Sequence, residues 1–180
     1  MNTTEAYESA IELLQKLIAI PCFSREENAA ADFFQSFIEG KGYATMRKGN
    51  NIWTIAAGFN QNKKTLLLNS HIDTVRPSKT WTHEPFSPTI EGNKLYGLGS
   101  NDAGASLVSL LHVFFILTQK EQPYNLIFSC SAEEEVSGAN GCASMMQEMP
   151  PIDLAVVGEP TQMQLAVAEK GLMVLDCVSR

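Results

Sequence analysis

Three short runs of consecutive apolar residues constrain this chain more than any other feature: Leu66-Leu67-Leu68, Leu126-Ile127-Phe128 and Leu154-Ala155-Val156-Val157. A strand that is apolar at every position is buried on both faces, as in a sheet covered on both sides. Helical patterns lie between these runs, and strands alternating with helices predict an α/β fold. The expected architecture is three layers: a mixed, largely parallel sheet with helices over each face.

The remaining elements follow from periodicity and punctuation. Ile11, Leu14, Leu17 and Ile18 are spaced for a helix over Glu5–Ile20, and Pro21 stops it. Ser24 and Glu27 match a capping box ahead of a second helix that carries Phe33, Phe34, Phe37 and Ile38. Gly40 and Gly42 end it. Strands are expected over Asn51–Ala57 and Thr65–Asn69, with a hairpin between Pro88 and Tyr96 turning at Glu-Gly-Asn. Asp102 is expected to open a long apolar helix to about Gln119. Asn125–Cys130 and Asp153–Val157 predict buried strands, Ser137–Met149 a helix, and Gln164–Arg180 a strand pair or one long strand.

Composition narrows the function. A chain of 180 residues supports one ordinary core, and 44 % hydrophobic with 18 % charged residues is a soluble, globular balance. The longest apolar runs, Val113–Leu117 and Leu154–Val157, fall far short of the roughly 20 residues of a membrane helix. A formal net charge of −7 without a basic run argues against nucleic acid as a partner. Part of that charge would be neutralised if carboxylates surround metal ions. Cys22, Cys130, Cys142 and Cys177 form no CxxC pair and suggest no disulfide framework. The polar start Met-Asn-Thr-Thr-Glu lacks the pattern of a signal peptide, so a cytoplasmic location is expected.

Each apolar run leads directly into side chains able to hold a metal. The first leads to His71 and Asp73, the second to Glu133-Glu134-Glu135, and the third to Glu159. In open α/β sheets, sites form beyond the carboxyl ends of the strands, so these ligands are expected at one edge. His71 and Asp73 point to one face of an extended strand, where a carboxylate can fix the imidazole tautomer while the other nitrogen binds metal. The structural alternative is a packed core histidine beside a turn aspartate. Asp102 follows Tyr-Gly-Leu-Gly-Ser-Asn and also suits a plain helix N-cap. Three adjacent glutamates repel one another unless a cation offsets them, although exposed acidic loops are common. Pro160 pins Glu159 at the end of its strand.

Together, His71-Ile-Asp73, Gly-Ser-Asn-Asp102, Glu134-Glu135 and Gly-Glu159-Pro-Thr resemble the signature of one zinc metallopeptidase family. It includes acetylornithine deacetylase, succinyl-diaminopimelate desuccinylase, aminoacylase and the glutamate carboxypeptidases; the stretches Ser70–Val75 and Gly158–Thr161 look most like the first. The resemblance implies two Zn2+ ions, with Co2+ or Mn2+ as substitutes. His71 and Glu159 would hold one ion, Glu135 the other, and Asp102 would bridge them. Asp73 would orient His71 and Glu134 would be the general base. The implied activity is hydrolysis of the amide bond of a small-molecule N-acyl amino acid, with a dipeptidase or carboxypeptidase as the alternative within the family.

Two departures from the family pattern stand out. Asp102-Ala-Gly-Ala replaces a frequent lysine and glycine after the bridging aspartate. The family also supplies a further metal-binding histidine from a C-terminal segment, whereas His83 and His112 fit a loop and a packed helix. Ala168-Glu-Lys170-Gly171 resembles the entry to the family's lid domain, which also mediates homodimerisation. The expectation is therefore an incomplete catalytic domain over residues 1–165 and the start of a lid over 166–180, with little turnover from this segment alone. The rival from another class is an inactive metal-binding fragment. A thiol enzyme is disfavoured, since no cysteine has a base beside it.

Overall fold

A computed structural model describes residues 2–168. Its centre is a five-stranded sheet. The strands are β1 (Met46–Lys48), β2 (Asn51–Ile55), β3 (Thr65–His71), β6 (Asn125–Ser131) and β7 (Leu154–Val157), in the order β1-β2-β6-β3-β7. The β3 strand runs parallel to both β6 and β7, while β1 and β2 are antiparallel additions on the far side. A separate hairpin, β4 (Thr89–Glu91) with β5 (Lys94–Tyr96), turns at Gly92-Asn93 within the Glu-Gly-Asn of the sequence.

Strand alternation divides the core between the two faces. Ile52, Leu68, Leu126 and Phe128 face α1 (Thr3–Ile18), α2 (Asn28–Gly40) and α3 (Ala105–Leu117). Phe128 lies between Phe34 of α2 and Phe114 of α3, with ring centroids 6.1 and 6.2 Å away. Trp53, Leu67 and Ile127 face the other way and pack on Met145 of α4 (Cys142–Met146). These are the three expected layers, the second much thinner than the first.

The α3 helix is apolar enough around its circumference to be buried rather than amphipathic. Ser100–Leu117 has the length and mean hydropathy, 1.4, of a membrane span. Its Leu107, Val108, Leu111 and Phe114 are buried in the core against α1 and the sheet.

Several expectations are corrected. The Ser24/Glu27 capping box does not form: α2 starts at Asn28 and Glu27 makes no capping bond. A real box sits at the start of α1, where Asn2 Oδ1 accepts from Glu5 N at 3.0 Å and Glu5 Oε2 from Asn2 N at 2.9 Å. The helix expected over Ser137–Met149 shortens to α4, since Gly138 and Gly141 keep the preceding residues in turns. Asp102 is not an N-cap, because it has extended angles (φ −113°, ψ 104°) inside an irregular turn over Ser100–Gly104. Finally, β7 is exposed at the sheet edge rather than buried, with Leu154 64 % accessible. Of the expected Gln164–Arg180 strand, Gln164–Ala168 is irregular and the rest lies outside the described residues.

Candidate metal centre

The register of the parallel strands aligns the ends of the three apolar runs. His71 of β3 is opposite Ser131 of β6, and Asn69 is opposite Val157 of β7. Counting two residues onward places Asp73 level with Glu133, and His71 level with Glu159. The end of β7 is tied down by Gly158 N donating to Asn69 O at 2.8 Å, and by Ser70 Oγ donating to Gly158 O at 2.8 Å. Gly158 passes so near α3 that a Cβ there would lie 2.8 Å from Leu110 Cδ1 and 2.9 Å from Ser106 Cβ. A β-carbon here would force Ser106 or Leu110 to move, so glycine eases the path that delivers Glu159.

Around His71 the carboxylates converge. Its Nε2 lies 3.1 Å from Asp102 Oδ1, 3.8 Å from Glu159 Oε2 and 3.9 Å from Glu134 Oε2. One ligand atom each from His71, Asp102 and Glu135 fall within 4.8 Å of one another. The five residues come from four chain segments, so all six side chains singled out in the sequence, Asp73 included, meet at one sheet edge.

Behind the imidazole, Nδ1 donates to the main-chain carbonyl of Asp73 at 2.9 Å, while the Asp73 carboxylate stands 3.5 Å away. The carbonyl is the nearer acceptor, with the carboxylate expected from the spacing standing beside it. Either partner leaves Nε2 facing the other carboxylates. The Asp73 carboxylate instead organises the loops around it. Its Oδ2 accepts from Ser24 Oγ at 2.7 Å and Glu135 N at 3.2 Å, and its Oδ1 accepts from Glu134 N at 3.0 Å. Ser24 is a supporting residue that sequence reasoning missed. Its strand-like neighbour Phe23 pairs with Thr74, a contact between distant segments that no local pattern announces.

The electrostatics are those of a site short of positive charge. Burial opposes protonation of His71, yet Asp73, Glu159 and Glu134 outweigh it and raise the imidazole to about 9. Burial, then Asp102 and Glu134, push the Glu135 carboxyl up. Burial, then Glu134, Asp102 and Glu135, do the same to Glu159. Asp73 moves the other way: its burial is overcome by donors from His71, Ser24 and the Glu134 and Glu135 amides. Among the described residues, the lysine and arginine ion pairs all lie elsewhere. An imidazole with several crowded carboxylates and no paired cation is a donor set suited to divalent metal.

The other histidines stay out of this set. His83 stacks on Tyr96 at 4.2 Å between centroids. His112 is buried between Val108 O, 2.7 Å from Nδ1, and Ser9 Oγ, 3.0 Å from Nε2. Cys22, Cys130 and Cys142 are free thiols that burial pushes up, so none is a ready nucleophile.

The chain is similar to known proteins in sequence and in fold. The family model for Peptidase family M20/M25/M40 matches residues 67–170. Acetylornithine deacetylase of Shigella sonnei is 30 % identical over 175 residues, covering 89 % of this chain and 45 % of the relative. Succinyl-diaminopimelate desuccinylase of Blochmanniella floridana is 28 % identical over 164 residues, covering 84 % of this chain and 43 % of the relative. The chain thus spans less than half the length of these relatives. A dinuclear metal binding peptidase of Bacillus subtilis shares the fold, with a TM-score of 0.66 at 14 % identity over 87 % of this chain and 43 % of that one.

Proposed function

This chain belongs to Peptidase family M20/M25/M40, and from that premise we propose that it carries the metal-holding part of a hydrolase cleaving the amide bond of N-acyl amino acids. The observation that carries this reading is the convergence of Asp102, Glu134, Glu135 and Glu159 on His71 Nε2. His71 and Glu159 would hold one ion, Glu135 a second, and Asp102 would be shared. Zinc held by these residues would supply Lewis-acid polarisation of a scissile carbonyl and a water acidic enough to attack near neutral pH.

The chain's own groups supply the rest. Asp73, through its main-chain carbonyl, keeps the proton of His71 on Nδ1 and leaves Nε2 free to donate its lone pair. Glu134 is half exposed beside His71 and would take a proton from the attacking water and return it to the departing amine. Asp102 and Glu159 also face solvent in part, which leaves a route for substrate.

Both relatives remove an acyl group from a diamino acid, by their names. The substrate proposed is accordingly an N-acetyl or N-succinyl derivative of a diamino acid. The test is release of free amine from N-acetylornithine, N-succinyl-diaminopimelate and a dipeptide, by the zinc-loaded protein and by Glu134→Gln. An acyl substrate is expected to turn over in preference to the dipeptide, slowly in this segment alone, and Glu134→Gln to lower that turnover by about 10²–10⁴-fold with metal retained. Preference for the dipeptide, or a Glu134→Gln variant as active as wild type, would count against the reading.

A further inference from the structure

Glu27 is a fully buried charged residue outside the set of metal-facing side chains. It occupies the cap position of α2 and caps nothing. Its carboxylate accepts from three separate segments of the chain. Oε1 accepts from Arg25 N at 2.6 Å and from Glu133 N at 3.2 Å, and Oε2 accepts from Asn50 Nδ2 at 2.9 Å.

We propose that Glu27 is a positioning residue for the acidic turn Glu133-Glu134-Glu135, and through it for the carboxylates at His71. The proposal rests on the reading of that turn as part of a metal site. Three successive amides of the turn donate to buried carboxylates: Glu133 to Glu27, then Glu134 and Glu135 to Asp73. Asp73 is itself held by Ser24, three residues before Glu27. One short connection between α1 and α2 therefore fixes the turn from both ends.

The turn needs this support. Glu133 has a left-handed backbone (φ 54°), which a β-carbon disfavours and which persists where surrounding bonds over-determine it. Its side chain is also committed, accepting from Asn140 N at 3.3 Å and Asn140 Nδ2 at 3.0 Å. Gly138 makes room, since a Cβ there would lie 1.9 Å from Glu133 Oε2. A carboxylate oxygen accepts a backbone N–H at the start of the turn, where Glu133 N meets Glu27 Oε1.

Glu27→Ala and Glu27→Gln separate positioning from plain stability. Glutamine keeps one carbonyl acceptor but presents an amide to the Asn50 donor. We expect amide hydrogen exchange at Glu134 and Glu135 to speed up roughly tenfold or more in Glu27→Ala, the equivalent of one lost charged hydrogen bond, with Phe128 in β6 unchanged. Glu27→Gln should fall between, and zinc affinity should drop about 10–100-fold in parallel. The proposal is overturned if the unfolding midpoint drops while exchange at Glu134 and Glu135 stays as in wild type. Should wild type itself hold no zinc, the metal reading fails and the exchange data alone decide the role of Glu27. If Glu27→Ala does not fold, Glu27→Gln decides in the same way.

Discussion

At Asp73, three donors from two distant loops meet one buried carboxylate. Asparagine in its place keeps the shape but turns one acceptor into a donor facing Ser24 and Glu135 N, or facing Glu134 N. Asp73→Asn should therefore weaken zinc binding by about 10–100-fold, read by titration against a chelator. Unchanged affinity would show that the main-chain carbonyl alone positions His71. His112 allows a second test away from the site. Burial, with Lys41 adding to it against the Val108 carbonyl, lowers its imidazole below the ordinary 6.5. The unfolded chain then binds a proton that the folded chain refuses, so this contribution is full above 6.5 and is lost as pH falls through it. Denaturant unfolding between pH 7 and 5 should show a smaller loss of stability in His112→Leu than in wild type. At this scale the side chains that converge on His71 were legible because each follows an apolar run or a helix-opening turn. Ser24 and Glu27 were not. Their Ser-x-x-Glu spacing imitates a capping box, and their true partners, Asp73 and Glu133, lie 49 and 106 residues away.

Among the elements, the parallel strands were plain in the sequence because continuous apolar runs have few other uses. Burial of β7 was misjudged for a reason periodicity cannot supply: a run of four apolar residues looks the same at a sheet edge as at its centre. The three residues of β1 were too few to show a pattern. The edge position of β7 has a consequence, since Leu154, Val156 and Val157 are exposed on an outer strand. Exposed apolar edges invite pairing between chains, so Val156→Lys should reduce self-association by light scattering at equal concentration. Equal scattering would place the sticky surface elsewhere. Gly158 links this strand to chemistry. Gly158→Ala must push the chain off Ser106 and Leu110, costing about 1–3 kcal/mol by denaturant unfolding, and should weaken zinc binding by moving Glu159. A variant as stable and as metal-avid as wild type would show that α3 yields easily.

Over the whole molecule, the acidity that first argued against nucleic acid proves partly internal. Asp73 and Glu27 are fully buried and Glu133 nearly so, and Asp102, Glu134, Glu135 and Glu159 gather around His71 beyond the carboxyl ends of the parallel strands. The three-layer α/β plan, the shared sheet edge and the family were all legible, because strand register converts sequence order into spatial convergence. The irregular path through Asp102 was not, since Ser100–Gly104 is neither strand nor cap. Zinc should raise the unfolding temperature in a dose-dependent way, because a ligand held only by the folded chain stabilises it by about 2.7 kcal/mol at a hundredfold excess over Kd. The most direct test of the central claim is zinc per chain after dialysis, in wild type and in Asp102→Ala. Convergence of the four segments predicts about two ions per wild-type chain, with most of that zinc lost in the variant. A wild-type chain holding no more zinc than Asp102→Ala would contradict it.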